Sequence, residues 1–252
     1  TVTHDVKKAT ASAEGTRALL MQSGLWAMMR QRPYDIVPEA GAEIRDIFVS
    51  GFDSAPLACA APLQESDRKT LEAGVKLLSS LTRGKVYVSR RDGQKLPDLA
   101  GAEMVDISGP HPSGNAGTMI AAIAPVNKGE TVVCLDLTTL ARIGVLALTG
   151  KVPMETVVAV TGSEVAQPQY CRIIDGASIR SIVGGNIKPQ AEGESIRYIS
   201  GNVLTGVKTS LDGHIGYYAH QLTLIPEGDK YELLGWAMPR CNKFSVSRAY
   251  FS

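Results

Sequence analysis

The chain has 252 residues, of which 44% are hydrophobic, 20% charged and 6% aromatic, and this balance excludes a disordered, collagen-like or disulfide-scaffold protein. Its 26 Lys and Arg residues against 25 Asp and Glu residues leave a formal net charge of +1, which gives no overall field to attract nucleic acid or an anionic membrane. The length allows one large domain or two smaller ones, each with its own core.

Residues 1–43 are predicted to form a helical lead-in, a segment that packs on the domain after it. Apolar residues recur at helical spacing over residues 16–30, and Pro33 ends the pattern because proline cannot continue a helix. The chain opens at Thr1 with neither an initiating Met nor the apolar core of a signal peptide. We therefore expect it to be a piece of a longer polypeptide.

Residues 44–161 alternate short apolar runs with amphipathic ones, which is typical of an α/β domain. Because helices separate successive strands, we expect a mostly parallel sheet. The predicted strands are 47–50, 86–88, 104–107, 132–135 and 156–160, and the predicted helices are 66–81 with Ser66 as N-cap, 115–123, and 137–148 ending at Gly150.

Residues 162–224 are rich in β-branched residues and punctuated by glycine, which predicts a small sheet crossed by one helix at residues 178–183. Strands are predicted at residues 203–204 and 217–224, with a loop at 210–216 between them. Residues 225–252 are interpreted as a return strand, at 231–238, and a C-terminal extension.

Neither the cysteines nor the apolar runs indicate a metal cluster or a membrane span. The four cysteines stand 75, 37 and 70 residues apart, without the close spacing of zinc or iron–sulfur ligands. The longest stretch without a charge, residues 107–127, contains prolines, glycines and a histidine, so it could not cross a bilayer as a helix.

The segment most suggestive of a binding site is a glycine-rich loop between a predicted strand and helix. Ligands collect at the carboxyl ends of parallel strands, where glycine lets backbone N–H groups approach them. The spacing matches neither established glycine-rich nucleotide pattern, so the nucleotide signal is weak. Either His111 fixes a rigid loop and Ser113 or Asn115 caps the helix, or the loop contacts a ligand or another protein of an assembly. The candidate residues are Gly109, His111, Ser113, Gly114, Asn115 and Gly117.

A second candidate is the loop that follows the first predicted strand, where Asp53 and Ser54 stand. Asp53 could act on a ligand, but a carboxylate there is more often a turn cap that accepts backbone N–H bonds. His214 and His220 are interpreted as surface or loop histidines. No pairing of a nucleophile with a base is recognisable, so no catalytic residue is assigned.

Several stretches, in order over nearly the whole chain, together resemble the A subunit of the sodium-translocating NADH:quinone oxidoreductases. They are LW at 25–26, RQRPYD at 30–35, IFVSGFDSAPL at 47–57, GPHPSGN at 109–115, PVNKGE at 125–130, IPEG at 225–228, LGW at 234–236 and NKFSV at 242–246. The members of this family are longer at both ends, so the resemblance places this chain in the central part of such a polypeptide.

The resemblance implies a fold of two parts: a Rossmann-like domain, then a β-grasp domain of the soluble-ligand-binding type. It also implies a peripheral place on the cytoplasmic face of the bacterial inner membrane, against a membrane subunit and close to quinone. NADH, flavins and iron–sulfur centres are then expected on other subunits, with no cofactor bound by this chain.

Three hypotheses follow. In the first, the chain is a non-catalytic peripheral subunit whose scaffold has lost nucleotide binding and serves subunit docking and quinone-site organisation. In the second, it is an oxidoreductase domain that binds NADH or flavin at residues 109–117. In the third, residues 170–224 form a free-standing β-grasp module that binds a small molecule.

Overall fold

The computed structural model describes residues 2–58, 67–190, 193–228 and 233–234. They form two five-stranded sheets, each with its own hydrophobic core. An α/β domain of Rossmann-like type is followed by a small β-grasp domain, so the predicted fold class is confirmed.

The first sheet has the strand order β1-β5-β2-β3-β4. Strands β2 to β5 are parallel, and only β1, at the edge, runs antiparallel to its neighbour β5. Its strands are β1 Arg30–Arg32, β2 Ile44–Ser50, β3 Val86–Arg91, β4 Glu103–Ile107 and β5 Thr131–Asp136. Because the chain runs from β2 outward to β4 and then returns to β5 on the other side, the order reverses between β2 and β5. Ligands of open α/β sheets bind at such a switch point.

Helices cover both faces of this sheet. The main core lies under α2 Ala13–Gln22, α3 Arg68–Ser79 and α5 Leu137–Thr149. A second cluster, under α4 Ala116–Ile123, includes the stacked rings of Phe48 and Tyr87, whose centroids are 4.8 Å apart. A short helix, α1 Val6–Ala9, precedes α2.

Carboxylates begin the two long helices. Asp67 accepts a hydrogen bond from the Thr70 amide at 2.6 Å at the start of α3, and Asp136 accepts one from the Thr139 amide at 2.6 Å at the start of α5. Gly150, at φ 72°, ends α5 in the left-handed conformation that glycine adopts without strain.

The second sheet has the order β7-β6-β10-β8-β9, with a parallel central pair, β6 and β10, between antiparallel neighbours. Helix α6 packs its buried side chains into the core of this sheet. Its elements are β6 Glu155–Thr161, β7 Gln169–Ile174, α6 Ile179–Val183, β8 Ile196–Ser200, β9 Val207–Thr209 and β10 Gln221–Pro226.

The lead-in is not one helix over residues 16–30, as the sequence predicted. Helix α2 ends at Gln22, because Gly24 turns into the left-handed region at φ 80°, and a 3₁₀ turn follows at Leu25–Met28. Arg30–Arg32 then adds β1 to the edge of the first sheet. The lead-in therefore contributes a strand to the α/β domain.

The strand predicted at residues 156–160 is real, but its assignment to the first sheet is wrong. β6 pairs with β7 and β10 in the second sheet. The sequence predicted a domain boundary after residue 161. In the structure the chain passes from the first sheet to the second earlier, between the end of α5 at Thr149 and the start of β6 at Glu155. A buried apolar run can complete either sheet, so its pattern alone does not say which one.

Three further local predictions need comment. The N-cap of α3 is Asp67, and the predicted cap Ser66 lies outside the described residues. Residues 203–204 form a turn, with the strand at Val207–Thr209, and the last strand starts at Gln221, four residues later than predicted. The strand predicted at residues 231–238 also lies outside the described part, except for two residues in a turn.

Among the described residues, no helix combines the length and the apolar character needed to span a membrane.

Candidate functional site

A cleft of about 920 Å³ lies between the two domains. One wall is the carboxyl edge of the first sheet at the switch point, including Ser50 at the end of β2 and Asp136 at the end of β5. The other wall comes from the β-grasp domain, with residues 205–209 and 216–221. The cleft therefore occupies the position where the topology of an open α/β sheet places a ligand.

The structure brings the two predicted candidate loops together. The Ser54 hydroxyl accepts a hydrogen bond from the Gly114 amide at 2.9 Å, and its oxygen lies 3.0 Å from His111 Nδ1. A Cβ on Gly114 would come within 2.7 Å of the Ser54 nitrogen, so glycine permits this close approach. Ser54 is thus the link between the strand-end loop and the loop 109–117.

Only some of the candidates face the cleft. Asp53, Gly114 and Asn115 line it, whereas His111 is exposed and bonds to Ser54. Asp53 also accepts a hydrogen bond from the Ala55 amide at 2.8 Å, which is the turn-capping geometry favoured from the sequence.

The remaining loop residues hold the loop itself together. Ser113 donates its hydroxyl to the Gly109 carbonyl at 3.0 Å, and Gly109 has a positive φ of 122°. Asn115 is the N-cap of α4 without a side-chain capping bond. Gly117 leaves room for Arg32, whose nearest guanidinium nitrogen would be 3.2 Å from a Cβ at that position.

Ser54→Ala should loosen the link between these loops without unfolding the chain. A hydrogen bond is worth about 0.5–1.5 kcal/mol, so the Gly114 amide should exchange with solvent roughly 2- to 12-fold faster, as read by NMR hydrogen exchange. Ser113→Ala is the matched control, because its hydroxyl bonds within the loop. Equal acceleration at Gly114 in both variants would contradict the role of Ser54.

Sequence reasoning missed an interdomain ion pair at the cleft. His220 Nε2 lies 2.7 Å from Asp136 Oδ2, although 84 residues separate them. Burial opposes the charge on each group, but their attraction and hydrogen bond prevail: the pKa of Asp136 lies well below its usual value and the pKa of His220 is raised. The local pattern of an acid between a strand and a helix could have indicated the cap, but not its partner in the other domain.

A second missed contact is the salt bridge between Arg142 of α5 and Asp175 of the β-grasp domain. Two guanidinium nitrogens donate to the two carboxylate oxygens, each at 2.7 Å, and only 6% of the Arg142 side chain is exposed. A further contact is the hydrogen bond that the Tyr218 hydroxyl donates to the Ala27 carbonyl at 2.6 Å, with Arg30 over the Tyr218 ring. Polar contacts therefore join the domains.

Carboxylates occupy the N-termini of α3 and α5, while Asn115 at the start of α4 makes no side-chain capping bond. A Rossmann-like domain binds phosphate where free amides at a helix start meet the positive end of the helix dipole. Here Asp67 and Asp136 already take up those positions in α3 and α5, and a phosphate beside either would meet a carboxylate. Within the described part of the chain, no three His, Cys, Asp or Glu residues are grouped as metal ligands would be.

These features define a class: an α/β sheet domain joined across a polar cleft to a small β-grasp domain. Residues 11–152 match the family model described as the NqrA second alpha/beta domain, and residues 157–210 match the NQRA C-terminal domain. The chain belongs to the NqrA family. The first match ends at residue 152 and the second begins at residue 157. The chain passes from the first sheet to the second in the same stretch.

The curated relatives agree with this assignment. The chain is 38% identical over 243 residues to the A subunit of the Na(+)-translocating NADH-quinone reductase of Vibrio atlanticus, covering 94% of this chain and 53% of the relative. It is 36% identical to the protein of the same name in Pasteurella multocida, with the same coverage of each chain. The chain thus spans about half the length of the curated relatives it matches.

Among solved structures, an NAD+-reducing NiFe hydrogenase in the air-oxidised state is similar, with a TM-score of 0.57. The match covers 89% of this chain and 49% of the hydrogenase chain, at 13% sequence identity. At this identity the likeness concerns the fold alone.

Proposed function

We propose that this chain is part of a peripheral subunit of a sodium-translocating NADH:quinone reductase, on the cytoplasmic face of the bacterial inner membrane. It docks against other subunits, above all a membrane subunit, and helps to organise the quinone site. Two NqrA relatives that cover nearly the whole chain at 36–38% identity support the assignment to this assembly. The chain itself carries out no redox chemistry in this proposal.

Asp136 supports the loss of nucleotide binding most directly. Its carboxylate caps α5 at the switch point and is held there by His220 from the other domain, so the positive end of the helix is already neutralised. We therefore place NADH oxidation, the flavins and the iron–sulfur centres on other subunits. The rival hypothesis, an NADH- or flavin-binding domain at residues 109–117, would place phosphates at the start of α4, in the cleft that the Asp136 carboxylate also lines.

Two features of the cleft suit a quinone headgroup. Gly114 and Asn115 bring the start of α4 to its wall, where backbone amides can donate to a carbonyl oxygen. Thr138 lines the same cleft, and its hydroxyl oxygen is buried without a hydrogen-bond partner in the described part of the chain. A quinone is neutral and accepts hydrogen bonds through two carbonyl oxygens, so it avoids the repulsion that a phosphate would meet.

The proposal is tested by an amide NMR titration with a water-soluble short-chain quinone and, separately, with NADH. We expect saturable quinone shifts at residues 109–117 and at Thr138, and none with NADH. Gly114→Ala should weaken quinone binding, because the added Cβ pushes the loop away from Ser54. Gly41→Ala is the control, since a Cβ there meets nothing within 4 Å.

Saturable NADH shifts at the loop would replace this proposal with the oxidoreductase-domain hypothesis. If neither compound causes shifts, the quinone role is lost and only docking remains. Quinone shifts confined to residues 170–224 would instead favour a β-grasp module that binds its ligand alone.

A further inference from the structure

Two ion pairs reach from a single helix into the β-grasp domain. Asp136, the N-cap of α5, pairs with His220, and Arg142, six residues further along α5, pairs with Asp175. At 3.6 residues per turn, the two contacts are less than two turns apart. The relative position of the two domains therefore depends on both pairs, together with the contacts of Tyr218 with Ala27 and Arg30.

The two pairs differ in what can release them. The Arg142 guanidinium is buried and bidentate, and arginine is not a group that proteins deprotonate. The His220 and Asp136 side chains are 21% and 34% exposed and border the cleft, and histidine changes charge near neutral pH. One contact is permanent, and the other responds to protons.

We propose that His220 is a proton-operated latch on the interdomain cleft. When protonated, it holds the Asp136 carboxylate and keeps the cleft closed. When it loses the proton, the ion pair becomes a weaker hydrogen bond between a neutral imidazole and the Asp136 carboxylate, and the β-grasp domain swings outward about the Arg142–Asp175 contact. The latch regulates access to the cleft whatever the cleft binds, so it does not depend on the quinone role.

The charges around His220 set the direction of the response. Asp136 and Arg142 face it from α5, Asp175 faces it from the turn after β7, and Tyr217 lines the same small space. Burial and Arg142 lower the pKa of His220, whereas Asp136 and Asp175 raise it, and the net pKa is raised from 6.5. The Thr156 hydroxyl, 3.5 Å from Nδ1, is neutral.

The sign of the pH dependence follows from linkage. Because the pKa of His220 is raised in the closed form, protonated His220 stabilises the closed form fully below pH 6.5. This stabilisation is lost as the pH rises through the raised pKa. Asp136, whose pKa is held well below its usual value, stays ionised over this range. The cleft should therefore open on the alkaline side, driven by His220 alone.

The experiment measures the width of the cleft in the whole chain by double electron–electron resonance. Spin labels are attached through p-acetylphenylalanine at positions 34 and 204, which are 73% and 54% exposed and close in sequence to cleft residues of opposite walls. The native cysteines then remain in place. Between pH 5.5 and 8.5, the ratio of molecules with the long label distance to molecules with the short one should rise. We expect a rise of about tenfold for each unit by which the pKa of His220 in the closed form exceeds its pKa in the open form.

His220→Gln should abolish the pH response and give the long distance at both pH values. His214→Gln, at the other histidine of the cleft, should respond as the unmodified chain does. A distance distribution of the unmodified chain that does not change with pH overturns the latch, and so does a response that persists in His220→Gln. Because the first of these outcomes needs no variant at His220, a folding defect in that variant leaves the test decisive.

Discussion

Arg142→Met should lower the free energy of unfolding by about 3–5 kcal/mol, as measured by urea denaturation followed by circular dichroism. The substitution leaves the Asp175 carboxylate, whose side chain is only 19% exposed, without the two hydrogen bonds that compensate its burial. Methionine keeps much of the apolar length of the side chain, so the loss reports on the charge more than on packing.

A matched control is available in the second domain. Arg180 pairs with Asp212 on the surface, where the two side chains are 63% and 78% exposed, so Arg180→Met should cost less than about 1 kcal/mol. Adding Asp175→Leu to Arg142→Met should restore much of the lost stability, because no buried charge is then left unpaired. Equal losses in Arg142→Met and Arg180→Met would show that burial of the pair is not the cause.

The local elements of the α/β domain could be predicted because their signals lie within a few residues. Leu71, Val75 and Leu78 recur at helical spacing and are all buried in α3. Gly150 stops α5 as expected, through a left-handed conformation that only glycine adopts freely. Such signals need no knowledge of the rest of the chain.

The prediction failed where a segment's neighbours decide its structure. Arg30–Arg32 is short, charged and without alternation, and it becomes a strand only because the edge of β5 offers hydrogen bonds. β6 is apolar enough for either sheet, and its pairing with β10, about 60 residues later, settles the matter. Tertiary context therefore overrides the local pattern at both places.

The same limit applies to the candidate site. The loop 109–117 stood out because glycine, proline and histidine lie together in the sequence, and its contact with Ser54 follows from two strand ends meeting at one sheet edge. His220 gave no such signal. Its importance comes from Asp136, which lies in another domain, and no spacing rule connects residues so far apart.

Gly144→Ala should destabilise the chain by about 1–3 kcal/mol or more, although alanine is the better helix former by about 1 kcal/mol. Gly144 lies in α5, and a Cβ on it would overlap the carbonyl oxygen of Thr70 in α3. From the other side, a Cβ on Gly74 of α3 would come within 2.5 Å of the Leu140 carbonyl oxygen. The two helices therefore touch through backbone, where no side chain can move aside.

The measurement is urea denaturation, with Gly41→Ala as the control because that position is open and has no positive φ. Gly41→Ala should leave stability unchanged or raise it slightly, since alanine restricts the unfolded chain. A stabilised Gly144→Ala variant would mean that α3 and α5 can separate at little cost. That result would also weaken the latch, because α5 carries both Asp136 and Arg142 and must be fixed on its sheet for a proton on His220 to move one domain against the other.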